Sequence, residues 1–209
     1  MITSGSKLFL DYTAHVLKFE GKTSKDAQDT AASCAPFPGA FHTNKGVTYC
    51  TFKSLAGDLG ISPVTYDRFL TLSDADVAKF IYRFYNSVKG DRFPNNLAIA
   101  MTEVAWGSGT ARAFKHLRDA VKNLGYYVPG SGYTAQLADL VKTIPEKKLF
   151  DQYIIERRKF LDYLTSLPKY DQYKNGWTRR LNDFITQFTP AIGTSSILIL
   201  IVAAYLILK

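Results

Sequence analysis

A glutamate that closes a helix beneath a long loop has the setting of a general acid. Partial burial keeps such a carboxyl protonated near neutral pH, ready to protonate a glycosidic oxygen. Glu20 has this setting, since it follows an apolar helical stripe and precedes Gly21 and a loop running from Lys22 to His42. Taken alone, a glutamate at a helix end is more often a solvated surface residue. Asp26 and Asp29 lie in the same loop and are the candidates for a second carboxylate. Cys34 and Cys50 flank its irregular part, Pro36-Phe37-Pro38-Gly39 included. No CxxC or paired histidine accompanies them, so they do not form a zinc pattern. They could pair in an oxidising compartment, although free buried thiols are the plainer expectation.

The elements that must position these groups are mostly helical. Leu8, Tyr12, His15, Val16 and Phe19 share one face of an opening helix that stops at Glu20-Gly21. Ser73 and Asp76 form a capping signal, and Val77, Phe80, Ile81, Phe84 and Val88 follow on one face. A further helix is expected after Thr110, with Phe114, Leu117, Val121 and Leu124 inward. Another starts at Pro145 and runs to about Leu167, and a last one carries Trp177, Leu181, Phe184 and Phe188. No stretch alternates long enough for a large sheet, and at most a small hairpin is expected around His42 to Tyr49. The fold class is therefore mainly α, and no internal repeat is visible.

Hydrophobic residues make up 46% of the 209-residue chain, enough for a buried core, and the formal charge is +8. Its basic groups are scattered as the solvated faces of helices would be, and no basic-helix or zinc pattern accompanies them, so nucleic acid is not an expected partner. Met1 to Leu10 lacks the apolar core of a secretory signal. From Gln187 to Leu208 there is no charged residue, and Ile197 to Leu208 is almost purely aliphatic. About 20 apolar residues cross a bilayer as a helix. The expectation is a single-pass C-terminal transmembrane helix over 188–209, with Arg179 and Arg180 weakly favouring a domain on the cytoplasmic side.

The run Phe19-Glu20-Gly21, followed by Thr43-Asn44-Lys45-Gly46-Val47-Thr48, resembles the signature of glycoside hydrolase family 108. These are lysozyme-like muramidases of phage and secretion systems, with E-G-G and T-N-x-G-[IV]-T motifs. Trp106-Gly107-Ser108-Gly109, then Ala113 to Leu117, resembles the family's small-residue turn and following helix. Gly130 and Thr134 resemble its G-x-x-x-T turn. Leu149 to Trp177, with Gly176-Trp177-Thr178-Arg179-Arg180, is similar to its C-terminal peptidoglycan-binding segment, which commonly ends in G-W-x-x-R. The likeness spans most of residues 8 to 186.

The resemblance implies a lysozyme-like part over 1–105 and a helical peptidoglycan-binding-like part over 106–187 of the same body. It also implies cleavage of the β-1,4 bond between N-acetylmuramic acid and N-acetylglucosamine. Glu20 matches the catalytic glutamate, while Thr43 and Thr48 match threonine positions near the cleft, where their hydroxyls could bind sugar or hold a water. Asn44 could do likewise or shape the turn. Trp106 could stack on a sugar ring or pack in the core. No metal and no organic cofactor is implied. Two positions depart from the pattern. Lys22 stands where the family has its second glycine, and Phe37-Pro38-Gly39-Ala40 replaces the D-P-G-G segment, removing its acidic residue. This leaves open hydrolysis, lytic-transglycosylase chemistry with the same acid, and a degenerate wall-binding protein. With the tail, the expected place is the membrane, acting in the periplasm or at the bacterial cell wall for lysis or wall remodelling.

Overall fold

The computed structural model describes residues 2–191. Nine helices among them surround one apolar core, and a three-stranded sheet of two-residue strands covers one end. The first helix, α1, spans Lys7–Phe19 and buries Phe9, Tyr12, Thr13, His15 and Val16. Phe9, rather than the expected Leu8, completes its inner face.

The loop after α1 contains strand β1 (Thr23–Ser24) and a short 3-10 helix, Thr30–Cys34, which Asp29 caps. Strands β2 (Thr43–Asn44) and β3 (Val47–Thr48) form the expected hairpin, and β1 adds to β2 with Thr23 opposite Asn44. Helix α2, Tyr49–Leu55, begins at once, capped by the Thr48 hydroxyl. Cys34 and Cys50 form a disulfide, correcting the expectation of buried free thiols. The physical reason is local: Cys50, at the exposed start of α2, faces the end of the 3-10 helix. The bond thereby ties the long loop to the hairpin's far end.

Helix α3 (Tyr66–Leu70) leads to α4 (Asp74–Ser87), where Ser73 and Asp76 form the complete capping box. At the centre lies α5, Asn95–Ser108, packed against α4, α6 (Thr110–Asn123), α8 (Glu146–Thr165) and α9 (Lys174–Phe188). Every residue from Leu97 to Ala105 is buried, so α5 lacks the polar stripe by which the other helices are recognised. It runs unbroken through 105 and 106. Gly109, at φ 84°, makes the break between α5 and α6. Helix α7, Ala135–Thr143, is capped by Thr134, and Pro145 precedes α8 as expected.

The membrane-spanning helix expected over 188–209 is not carried forward. No helix among the described residues is long and apolar enough to cross a membrane. At the junction, Phe188 packs against Tyr12, His15 and Phe184, its carbonyl accepts from Asn96 at 2.8 Å, and Pro190 is buried. The start of the expected tail thus belongs to the core. The rest of it, 192–209, lies outside the described residues. The membrane localisation inferred from that tail is withdrawn with it.

Candidate active site

Glu20 caps the C-terminus of α1, its amide donating to the Val16 carbonyl at 3.0 Å. Its side chain is 19% exposed, half sunk between the helices and the hairpin. Oε1 accepts from the Trp106 indole at 2.8 Å and from Arg180 Nη1 at 2.5 Å. Oε2 accepts no hydrogen bond among the described residues. The turn between β2 and β3 lies against this oxygen. Lys45 and Gly46 have φ of 48° and 79°, the signs a type I′ hairpin turn needs at both central residues. A Cβ at Gly46 would stand 2.6 Å from Glu20 Cδ and 2.8 Å from Oε2. The glycine of the T-N-K-G-V-T run therefore both makes the turn and leaves room for the Glu20 side chain.

Arg180 reaches two carboxylates. While Nη1 holds Glu20, Nε donates to Glu103 Oε1 at 2.7 Å and Nη2 to Glu103 Oε2 at 3.0 Å. Glu103 comes from the buried face of α5, is 2% exposed, and also accepts from the Tyr12 hydroxyl at 3.0 Å. Arg157 of α8 stands 3.7 Å away. Burial alone pushes the Glu103 carboxyl up, yet Arg180 and Arg157 together hold it below its ordinary value. Burial likewise opposes the Arg180 charge, but Glu103 and Glu20 more than offset this and raise its pKa. The Tyr12 phenol is pushed up by burial and by Glu103, so it remains a donor. These opposed charges, with hydrogen bonds filling their lone pairs, are the condition for keeping ions inside a protein.

Of the residues singled out from sequence, the structure brings Trp106 to Glu20, its ring edge against Phe84. Asn44 is buried, and its amide donates to the Phe69 and Leu70 carbonyls, fastening the hairpin to α3. Thr48 accepts from the Thr51 amide, and Thr43 bonds His42 Nδ1 at 2.9 Å. Asp26 receives the Tyr173 hydroxyl and its own turn's amide from Gln28, while Asp29 accepts from the Ala31 amide. Neither aspartate shares a partner with Glu20. Lys22 is exposed, and its carbonyl accepts the Lys45 amide at 2.6 Å.

Sequence reasoning missed Glu103, Arg157 and the site role of Arg180. One signal existed for each of two. Arg180 closes the Gly176-Trp177-x-x-Arg180 run, and Glu103 is the lone charged residue in a stretch from Leu97 to Ala105 that is otherwise apolar but for Thr102.

Comparison with known proteins agrees with the motif resemblance. Residues 13–109 match the family profile Glycosyl hydrolase 108, which takes in the C-terminal half of α1, the hairpin, α2 to α5 and therefore Glu20, Gly46, Glu103 and Trp106. The fold is similar to that of SagA from Brucella abortus, with a TM-score of 0.65 at 22% identity over 88% of this chain and 96% of that one. No curated protein matches the chain.

Proposed function

We propose that this chain, a glycoside hydrolase through its glycosyl hydrolase 108 segment at residues 13–109, is a muramidase with Glu20 as general acid. The observation that carries the reading is the asymmetry of the Glu20 carboxyl. Oε1 is held by Trp106 and Arg180, and Oε2 is left without a partner beside Gly46.

In this reading Oε2 is the oxygen that delivers a proton to the oxygen of the β-1,4 bond between N-acetylmuramic acid and N-acetylglucosamine. The C1–O bond breaks, the leaving sugar departs with a hydroxyl, and water adds at C1, its released proton restoring the Glu20 acid. Negative charge then develops on Glu20, where the indole and guanidinium already point. Donors set in advance at a developing charge lower the barrier without reorganising at that moment. Glu103 is a positioning residue, since both its oxygens are engaged and it holds Arg180 in place. Among the described residues no second carboxylate with a free oxygen shares the site's partners, which favours chemistry led by the single acid. The disulfide supports a place of action outside the reducing cytoplasm, in the periplasm or at the wall.

The test uses the full chain and purified Gram-negative peptidoglycan, beside Glu20→Gln. Reducing muropeptides from the wild type and none from the variant are expected. Anhydro-muropeptides would mean that the sugar's own hydroxyl replaces water. A folded wild type that pellets with peptidoglycan and releases nothing would make this a wall-binding protein.

A further inference from the structure

Beside Arg180 the helices form a half-open cavity of about 120 Å³. Glu103, Gly107 and Ser108 of α5, Arg157, Leu161 and Leu164 of α8, and Trp177 of α9 line it. Arg180 lines it too, so the cavity adjoins the acid through a residue that touches both. Gly107 directly follows Trp106, the other donor to Glu20.

Arg157 is the unusual member. Its side chain is 9% exposed, and among the described residues its Nε and Nη1 have no hydrogen-bond partner. Glu103, at 3.7 Å, is already held by Arg180 and Tyr12. Buried N–H groups left without acceptors are costly, so such groups await water or a ligand. The cavity is far larger than the roughly 10–15 Å³ that one water needs. Leu161, Leu164 and the Trp177 ring give it an apolar part, beside the polar groups of Glu103, Ser108 and Arg180.

Donors without acceptors, facing an apolar wall, suit a small group with one carbonyl oxygen and one methyl. A carboxylate fits less well, because it would bring negative charge beside Glu103 and turn a second acceptor toward leucine. We infer that this cavity is a specificity pocket for the N-acetyl group of a sugar bound next to Glu20. Arg157 donates to the carbonyl oxygen, and Leu161, Leu164 and Trp177 receive the methyl. The assignment rests on the muramidase reading above and adds to it the residues that would recognise an N-acetylated sugar.

The experiment titrates the full chain with chitotriose, the β-1,4 trimer of N-acetylglucosamine, and with cellotriose, its neutral counterpart without acetamido groups. NMR follows the Arg157 Nε–H and Trp177 indole signals. Chitotriose is expected to shift both and to bind at least tenfold more tightly than cellotriose. Gly107→Leu grows into the cavity, since nothing lies within 4 Å of a Cβ at Gly107. It should erase that preference while keeping the melting temperature. Equal chitotriose binding by wild type and Gly107→Leu, or an unmoved Arg157 signal, overturns the pocket and leaves Arg157 to water. If that happens while the wild type still releases muropeptides, the pocket alone falls. No chitotriose binding together with no muropeptide release overturns both readings.

Discussion

Gly46→Ala separates the geometry of the acid from the stability of the fold. The new methyl carbon would lie 2.6 Å from Glu20 Cδ, against an ordinary contact of 3.4 Å or more. The carboxyl must therefore move by roughly 0.8 Å, or the turn must open by as much. The obstructing atoms are the end of a flexible side chain, so the clash itself costs little stability. The left-handed backbone at φ 79° adds about 1–2 kcal/mol for a residue with a Cβ. This corresponds to a melting temperature lower by roughly 3–6 °C in a domain of this size. The catalytic loss is larger, since a displacement near 1 Å costs about a hundredfold in rate.

Gly39→Ala is the matched control. It has the same backbone requirement, φ 81°, and nothing within 4 Å of its Cβ. Muropeptide release at saturating peptidoglycan, read beside thermal melting, should show similar destabilisation of both variants and a rate loss of about two orders of magnitude in Gly46→Ala alone. Wild-type turnover by folded Gly46→Ala, or an equal loss in Gly39→Ala, would refute the proposed placement of the acid.

Other perturbations address the supporting charges and the loop. Glu103→Gln leaves Arg180 and Arg157 buried with one carboxylate fewer, which should cost about 3–5 kcal/mol. A melting temperature lower by roughly 10 °C would register this, and an unchanged one would show that the buried cluster contributes nothing. Cys34→Ser opens a loop closed over a separation of 16 residues, for about 3 kcal/mol on the chain-entropy model. Urea unfolding should show the loss in the variant, and adding reductant should change only the wild type. Burial, then Arg157 and Arg112, lower the His116 imidazole to about 4 from its ordinary 6.5. The unfolded chain therefore binds this proton first as pH falls. Stability should drop between pH 6.5 and 4 by up to about 3 kcal/mol and stay level above that window. His116→Phe should flatten that slope, and an identical slope in the variant would assign it to other groups.

The elements legible in the sequence were those with one wet face. On α1, α4, α6, α8 and α9 the helical period alternates apolar with polar residues, and the Ser73–Asp76 box marks a start in the sequence itself. The hairpin was legible through the same residues that carry the family likeness, because its turn needs glycine. Helix α5 was not, since a helix buried on every side carries no such contrast. The apolar tail misled for a related reason: hydrophobicity reports what avoids water and does not say whether protein or lipid covers it. At Phe188 and Pro190 the cover is protein.

Glu20 was marked by sequence as a candidate acid, with its glycine-bearing hairpin. What holds it was decided by tertiary structure alone. Arg180 is 160 residues away along the chain, Trp106 is 86 away, and Glu103 meets Arg180 across 77. No local pattern encodes contacts between residues so far apart. They exist because α5 is buried at the centre, where the end of α1 and the middle of α9 both reach it, and where an ion can stay only if another chain segment brings its opposite charge.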